Sequence, residues 1–453
     1  MYLNRLLAQD LKYYLLKNDR RELKAILNEM EPVDVAYAWG EFSIEDRSLL
    51  FSLLKPQSRA SVLGKLEKEH QDEIVSELSS VELAGLLNMM APDDRADLLG
   101  RQSRGRLKDI FAAMGPDAAR DVKKLLLYAP DTAGGVMTTE YASAREEMTA
   151  RQALLNLQGR MKQERYRHVN TVYVLDESGR VTGSCSLMNL IAAAPGKRMS
   201  EISEPLDNIK ILAGTDIEEV AALFTHYDML SAPVTDTDGR LQGVITIDDV
   251  MDIIQEEAEE DLALMAGVDA EDFHRPDLPS TLKTRLPWLI IAWIGGLAAG
   301  GVIGAFEHAL EEVVALAAFI PVIMHMGGTI GVQSSTVIVR WLAIRKMEPG
   351  KLLRVFGHEF GTGVILSVIY AVLLGFISHM RYGTFTGMSR LWIVTGAGIG
   401  SVMILAAVAG ALLPFGFRKI GADPAVATGP IITTILDVLG LGVYFTLAAA
   451  VLL

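Results

Sequence analysis

The sequence predicts a multidomain membrane protein with an all-α N-terminal region, a repeated α/β region and five membrane spans. Three observations carry this prediction. Charged residues are frequent before about residue 280 and sparse after about residue 286. A pattern of strand, turn, strand and helix occurs twice, at an offset of 60 residues. Five apolar runs follow, each long enough to cross a bilayer.

The composition bounds the partners and the compartment. The formal net charge of the chain is −14, which disfavours nucleic acid as a partner. Its single cysteine, Cys185, excludes an internal disulfide and fits a reducing compartment. The first twenty residues carry charges throughout and lack the apolar core of a signal peptide. We therefore expect the N-terminal half to lie in the cytosol.

Residues 1–130 have the pattern of short helices. Their apolar residues recur at spacings of three and four. Ser79 and Glu82 have the spacing of a capping box, and Pro92 and Pro116 stand where helices would begin. The spacing suggests a stack of helical hairpins, although an ordinary helical bundle would show the same pattern.

Residues 131–262 contain the internal repeat. Segment 168–191 aligns with segment 228–251, and each has a D-x-x-G-R turn between two strand patterns. We divide the region into repeats of residues 131–199 and 200–262.

This repeated unit resembles a tandem pair of cystathionine-β-synthase (CBS) domains. Each copy has the G-x-x-[ST]-x-x-[ND] pattern that contacts phosphate and ribose in such domains. The matching residues are Gly183, Ser186 and Asn189 in the first copy, and Gly243, Thr246 and Asp249 in the second. ATP is therefore a candidate ligand, and the sequence leaves open whether a nucleotide binds.

An acidic helix follows the repeats, and a connecting helix is expected over residues 263–285. The transmembrane domain is expected over residues 286–453. Its predicted spans are residues 286–306, 314–343, 355–378, 391–413 and 425–451. The second span is overlong and is predicted to be broken by Pro321, Gly327, Gly328 and Gly331. Irregular backbone at membrane depth is tolerated where it lines a cavity.

Basic residues predict the orientation of the spans. Lys283 and Arg285 precede the first span, and the second loop is the most basic, whereas the first loop is acidic. The third loop, with Arg381 and Arg390, weakly opposes this pattern. We expect a multi-pass protein of the plasma membrane with a cytoplasmic N-terminus and a C-terminus outside.

Asp437 is the only ionisable residue of the last apolar run. A carboxylate within a membrane span costs several kcal/mol unless it faces a wet cavity or a partner. A lone acidic group favours a cation path. A buried contact between helices and a proton relay are the alternatives that the residues leave open.

The chain resembles the MgtE family of magnesium channels along essentially its whole length. The order of the regions agrees with that family, and five motifs carry the resemblance. They are PDDRADLL from Pro92, YAPDTAGGVMTTEY from Tyr128, ITIDDVMDIIQEEAEED from Ile245, PVIMHMGGTIGVQSSTVIVRWLA from Pro321 and DPAVATGPIITTILDVLG from Asp423. The resemblance implies a homodimer in membrane lipid that transports Mg²⁺ and also binds it as a regulator. It also implies that the connecting helix acts as a plug.

The resemblance also implies the site residues. The pore would use Asp437 and Thr433, with Thr329, Gln333, Ser334 and Ser335 lining the path. Regulatory Mg²⁺ would bind among Asp94, Asp97, Gly134, Asp216, Glu218, Asp228, Asp249, Asp252, Glu257, Glu260 and Asp261. Thr329 departs from the family's usual asparagine, which puts fine selectivity in doubt.

The expected function is a Mg²⁺-selective channel for magnesium uptake that is gated by internal Mg²⁺, and not an enzyme. One alternative is a secondary transporter that couples a divalent cation to protons. Another is a CBS-regulated anion channel, which the acidic pore group disfavours. A membrane metalloprotease would need H-E-x-x-H, but Thr362 stands where the second histidine would be.

Overall fold

The computed structural model describes residues 2–161, 170–206, 210–270, 278–344, 349–383 and 389–452. The chain forms two compact units, Met1–Ile254 and Gln255–Leu453.

The N-terminal region of the first unit is a run of short helices. They are α1 (Tyr2–Leu16), α2 (Arg20–Glu29), α3 (Pro32–Ala38), α4 (Ile44–Leu53), α5 (Pro56–Lys65), α6 (Lys68–Glu77), α7 (Ser80–Leu87), α8 (Pro92–Gly100), α9 (Arg104–Ala113) and α10 (Pro116–Leu125), with a 3₁₀ turn at Trp39–Glu41. Alternate helices pack on one another: α2 on α4, α3 on α5, α5 on α7, α7 on α9 and α8 on α10. This is the stacked arrangement that the spacing suggested.

The helix starts agree with the sequence signals. The Glu82 N–H donates to Ser79 Oγ at 3.3 Å, and the Ser79 N–H donates to Glu82 Oε2 at 3.1 Å, so the capping box is complete. Pro92 and Pro116 are the first residues of α8 and α10. A proline fits there because its missing N–H would have no partner within the helix.

The repeated region follows in the same unit. Its strands are β1 (Ala142–Arg145), β2 (Thr171–Leu175), β3 (Val181–Ser186), β4 (Glu204–Pro205), β5 (Ile211–Leu212), β6 (Ser231–Thr235) and β7 (Leu241–Thr246). Its helices are α11 (Ala133–Val136), α12 (Ala150–Met161), α13 (Leu187–Ala192), α14 (Met199–Ile202) and α15 (Ile217–Tyr227). The sheets have the orders β1-β2-β3-β4 and β5-β6-β7. In each, a parallel pair precedes an antiparallel hairpin.

The two hairpin turns have the same construction. Asp176 Oδ1 and Asp236 Oδ1 each accept two backbone N–H bonds from the residues that follow. Gly179 and Gly239 have φ angles of 82° and 81°, in the left-handed region that favours glycine. This structural match confirms the internal repeat that the sequence indicated.

Helix α16 (Ile247–Ala266) is continuous from the end of the second repeat through the acidic stretch. Helix α17 (Leu278–Ala305) begins the membrane region. The connecting segment predicted at residues 263–285 therefore includes the last turn of α16 and the start of α17, and residues 271–277 lie outside the described part.

Among its described residues, the membrane region has five helices that are long and apolar enough to cross a bilayer, as predicted. The elements are α17, α18 (Glu307–Glu312), α19 (Ile320–Ile344), α20 (Pro349–Tyr382), α21 (Leu391–Lys419) and α22 (Pro430–Leu452), with 3₁₀ turns at Val314–Phe319 and Pro424–Ala427. Helix α21 packs against α19, α20 and α22, and its buried residues form much of the core of this unit.

The predicted break in the second span is wrong. Helix α19 runs without interruption through its glycines, and the irregular backbone is the 3₁₀ turn that precedes it. Pro321 is the second residue of α19, where proline is tolerated. A Cβ on Gly327 would lie 2.8 Å from Val402 Cγ1, and one on Gly331 would lie 2.2 Å from Leu436 Cδ1. These glycines therefore permit close helix packing and do not break the helix.

Candidate functional site

The candidate pore residue Asp437 lies on α22, and its side chain is half-buried. It has no hydrogen bond or ion pair to another residue in the described part of the chain. Helix α22 is otherwise free of ionisable side chains except for Tyr444. An unpaired carboxylate at membrane depth needs water, an ion or a second subunit, so this position fits an ion path.

Thr433 lies one turn before Asp437. Its hydroxyl donates within the helix, to Gly429 O at 3.0 Å or Pro430 O at 3.1 Å, so the oxygen keeps a lone pair. Its methyl group faces α19, because a Cβ on Gly328 would lie 3.4 Å from Thr433 Cγ2. Thr433 thus lies at the contact between the two helices predicted to line the pore.

The four predicted lining residues of α19 divide into two pairs. Thr329 is half-buried and Gln333 is exposed, and the two are four residues apart on one face. Ser334 and Ser335 are buried. Ser334 faces α21, since its Cβ would lie 3.1 Å from a Cβ on Gly410. Of these four residues, only Thr329 and Gln333 are accessible to solvent in the single chain.

A pair of carboxylates, Asp93 on α8 and Asp249 on α16, lies within the first unit. Burial, followed by repulsion from Asp94, raises the pKa of Asp93 to about 7. Burial, followed by repulsion from Asp93, raises the pKa of Asp249 to about 7. The Oδ1 atom of Asp93 is inaccessible to solvent and has no hydrogen-bond partner. Two neighbouring carboxylates, of which Asp93 has an orphaned oxygen, are suited to a divalent cation.

The sequence reasoning selected Asp94 and Asp97 on this helix and missed Asp93. Asp94 lies against α5, because its Oδ2 would be 3.0 Å from a Cβ on Gly64. Asp97 is exposed and adds to the repulsion on Asp93. The P-D-D motif marks both neighbouring aspartates, but only tertiary packing decides which of them meets Asp249.

Gly134 and Asp216 lie together at the start of α15, where Thr132 forms an isolated bridge with Asp216. The Gly134 N–H donates to Ala213 O at 2.8 Å, and a side chain there would clash with Tyr128. Asp216 caps α15 by accepting the Glu218 N–H at 2.9 Å.

The remaining regulatory candidates of this unit lie elsewhere. Asp228 ends α15 in the left-handed conformation, with φ 50°, so it lies at the opposite end of that helix from Asp216. Asp252 is exposed on α16, one turn after Asp249. The first unit therefore does not gather all of its predicted regulatory residues at one place.

The predicted nucleotide-binding residues occupy equivalent places in the two repeats. Gly183 and Gly243 both leave no space for a side chain. Ser186 Oγ accepts the Asn189 N–H at 3.0 Å, and both residues are exposed.

The second cleft differs from the first. There, Thr246 Oγ1 donates to Asp249 Oδ2 at 2.6 Å, and Asp249 also interacts with Asp93. The first repeat has the neutral Asn189 at the position equivalent to Asp249.

A second acidic group lies within the other unit, where Glu260 and Asp261 of α16 approach Asp423. Burial and then Asp423 raise the pKa of both carboxyls, and Arg340 partly offsets the effect on Asp261. A Cβ on Gly429 would lie 2.3 Å from Met265 O, so the end of α16 packs beside the start of the last span. Glu257 is half-buried on the same helix. Sequence reasoning treated Asp423 as part of a motif and not as a site residue.

The described residues do not bring three acidic, histidine or cysteine side chains close enough to hold a metal ion together. Mg²⁺ commonly keeps several waters and takes only one or two carboxylates from a protein. The neighbouring carboxylates of Asp93 and Asp249 are consistent with that mode of binding.

Comparison with protein families gives matches to three domain descriptions. Residues 320–447 match the family described as "Divalent cation transporter", MgtE. Residues 30–131 match the MgtE intracellular N domain, and residues 133–196 and 200–256 match CBS domains.

Comparison with individual proteins agrees. The chain is 36% identical to the magnesium transporter MgtE of Thermus thermophilus, with 98% of each chain covered. It is 30% identical to the magnesium transporter MgtE of Bacillus subtilis, with 95% of this chain and 94% of the relative covered. Among solved structures, it resembles the cytosolic domain of the Mg²⁺ channel MgtE in complex with ATP. That match has 35% identity and a TM-score of 0.51, and it covers 54% of this chain and 99% of the other.

Proposed function

Because the chain belongs to the MgtE family of magnesium transporters, we propose that it is a Mg²⁺-selective channel that mediates magnesium uptake and is gated by internal Mg²⁺. The observation that carries the proposal is the unpaired carboxylate of Asp437 in a membrane span. A fixed negative charge at that depth attracts cations, which disfavours an anion channel.

The pore would act on Mg²⁺ that keeps much of its water. Mg²⁺ dehydrates reluctantly, so one carboxylate per chain with hydroxyl and carbonyl oxygens nearby suits a hydrated ion. In a homodimer, two Asp437 side chains would face one axis. Thr433, Thr329 and Gln333 would supply neutral oxygens along the same path.

The gate would depend on carboxylates of the N-terminal unit, which we place in the cytosol. Without a divalent cation, repulsion between Asp93 and Asp249 would disfavour the arrangement that holds the two carboxylates together. A bound cation supplies positive charge that turns this repulsion into attraction. If the closed state binds Mg²⁺ more tightly than the open state, internal Mg²⁺ shifts the population towards closure.

Glu260, Asp261 and Asp423 would form a second place of control. They lie where the end of α16 packs beside the start of the last span. Loss of a cation there would let the carboxylates separate and move the end of α16. The further proposed contributors are Asp216, Glu218, Gly134, Asp228, Asp252 and Glu257, which the described part of the chain does not bring into one cluster.

ATP is a proposed ligand of the CBS clefts, since a similar cytosolic domain is described in complex with ATP. The first cleft is the better candidate here because Ser186 and Asn189 are exposed. In the second cleft, the charge of Asp93 beside Asp249 would oppose a polyphosphate.

Mg²⁺ flux into proteoliposomes tests the proposal. Wild-type protein and Asp437→Ala would be compared with Thr446→Ala, which alters an exposed threonine on the same helix. We expect flux with wild type and the control, and none with Asp437→Ala. The measurement is repeated without a proton gradient. If flux is lost when the proton gradient is removed, that result would favour a proton-coupled transporter instead.

A further inference from the structure

Arg95 on α8 is the only basic residue among the buried polar side chains of the described part of the chain. Its side chain and backbone together are 7% exposed. A guanidinium stays charged in proteins, and burying a charge is costly unless opposite charges compensate it. The cost suggests that this position has a use beyond filling the core.

Carboxylates from several elements interact with Arg95 electrostatically. Burial lowers the pKa of the Arg95 guanidinium, and the negative charges of Glu140, Asp121, Asp93 and Asp94 oppose that lowering. They come from the segment after α11, from α10 and from α8 itself. The side chain is also fixed in place, because Arg95 Nε donates to Met90 O at 2.7 Å. The guanidinium is therefore held within the negative field that includes Asp93.

We propose that Arg95 is a built-in countercharge that sets the Mg²⁺ concentration to which the Asp93–Asp249 pair responds. The inference rests on the proposed regulatory function of that pair. Arg95 acts on metal binding through the local electric field and touches no metal itself, so it is a positioning residue.

The compensation by Arg95 is partial. Asp94 and Asp97 still repel Asp93, whose carboxyl remains buried with one orphaned oxygen. The pair thus keeps negative charge for a divalent cation to neutralise, but less than it would without the guanidinium. Partial compensation lowers the affinity for Mg²⁺, so that the site fills only when internal Mg²⁺ is high.

A countercharge role of Arg95 predicts that removing its charge strengthens Mg²⁺ binding, whereas a purely structural role would not. Arg95→Gln keeps an N–H donor for the Met90 carbonyl and removes the charge. The carboxylates would then bind Mg²⁺ more tightly. The midpoint of Mg²⁺ protection, which is the Mg²⁺ concentration that gives half-maximal protection against proteolysis, would fall by roughly tenfold, as expected for a unit charge several ångströms away. Arg95→Lys keeps the charge and should leave the midpoint within about threefold of wild type, since only the position of the charge changes.

Asp121→Asn is the complementary test. It removes one negative charge from the neighbourhood of Arg95, so the midpoint should rise. The variants therefore shift the midpoint in opposite directions, whereas general loosening of the fold would raise it in both.

The experiment measures protection of the purified full-length protein against limited proteolysis as MgCl₂ is titrated. Thermal unfolding without Mg²⁺ checks that each variant is folded. If wild type shows no Mg²⁺ dependence, the regulatory function fails and the inference fails with it. If wild type responds but folded Arg95→Gln has an unchanged or higher midpoint, this inference alone is overturned. If Arg95→Gln does not fold, Asp121→Asn is the deciding variant. An unchanged or lower Mg²⁺ midpoint in Asp121→Asn would then overturn the inference about Arg95.

Discussion

The acidic residues of the membrane spans and those of the N-terminal unit stand in different surroundings. Asp437 is alone on an otherwise apolar helix, with no described partner. Asp93 and Asp249 lie close enough to repel each other, and the pKa of each is raised to about 7. A single half-buried carboxylate can bind and release a passing hydrated ion. A repelling pair changes its packing when a cation binds, so it can report concentration.

The largest expected effect comes from the isolated carboxylate. Asp437→Ala should reduce Mg²⁺ flux by about 100-fold or more, because α22 loses its only carboxylate. Stopped-flow measurement of Mg²⁺ entry into proteoliposomes checks this. Thr446→Ala should retain flux, and near-normal flux in Asp437→Ala would remove Asp437 from the pore.

The paired carboxylates should control regulation and leave conduction intact. Asp93→Asn with Asp249→Asn should shift the midpoint of Mg²⁺ protection upward by roughly tenfold or more, because the pair loses both charges that attract the cation. Asp109→Asn is the matched control, since Asp109 is exposed on α9. An equal shift in the control would show that a general loss of negative charge, and not the pair, sets the midpoint.

Asp423 should have a smaller effect on the same response. Asp423→Asn removes one of three carboxylates from its group and leaves Glu260 and Asp261. We expect the internal Mg²⁺ needed to inhibit flux to rise by roughly threefold to tenfold. Asp423→Glu should keep the wild-type value, and an unchanged value in Asp423→Asn would remove Asp423 from the response.

The smallest expected effect is on stability. Between about pH 4 and 7, Asp93 and Asp249 are protonated in the folded protein but ionised in the unfolded chain. Without divalent cations, stability should therefore fall as the pH rises through that window, lowering the unfolding temperature by a few degrees. Calorimetry in chelator checks this. The same slope in the Asp93→Asn, Asp249→Asn variant would assign the pH dependence to other groups.

Features that depend on local sequence were predictable. The matched turns at Asp176 and Asp236 confirm the repeat, and the apolar runs confirm five candidate spans. These features follow from short-range spacing and from hydrophobicity. The position of Asp437 within a span followed from the same reasoning.

Features that depend on tertiary packing were not predictable. The glycines of α19 suggested a break, but they serve close approach to α21 and α22. Asp93 and Asp94 are neighbours in sequence, so only the rotation of α8 in the folded unit distinguishes them. Asp423 gains its acidic neighbours because α16 ends beside it, which no local pattern states.

One measurement tests the central claim that separate acidic groups conduct and sense. Mg²⁺ flux is measured with wild type, Asp437→Ala and the Asp93→Asn, Asp249→Asn variant, at low and at high internal Mg²⁺. We expect wild-type flux that falls as internal Mg²⁺ rises, no flux with Asp437→Ala at either concentration, and flux with the double variant that is retained at the high internal Mg²⁺ that inhibits wild type. Wild-type inhibition that persists in the folded double variant would contradict the account.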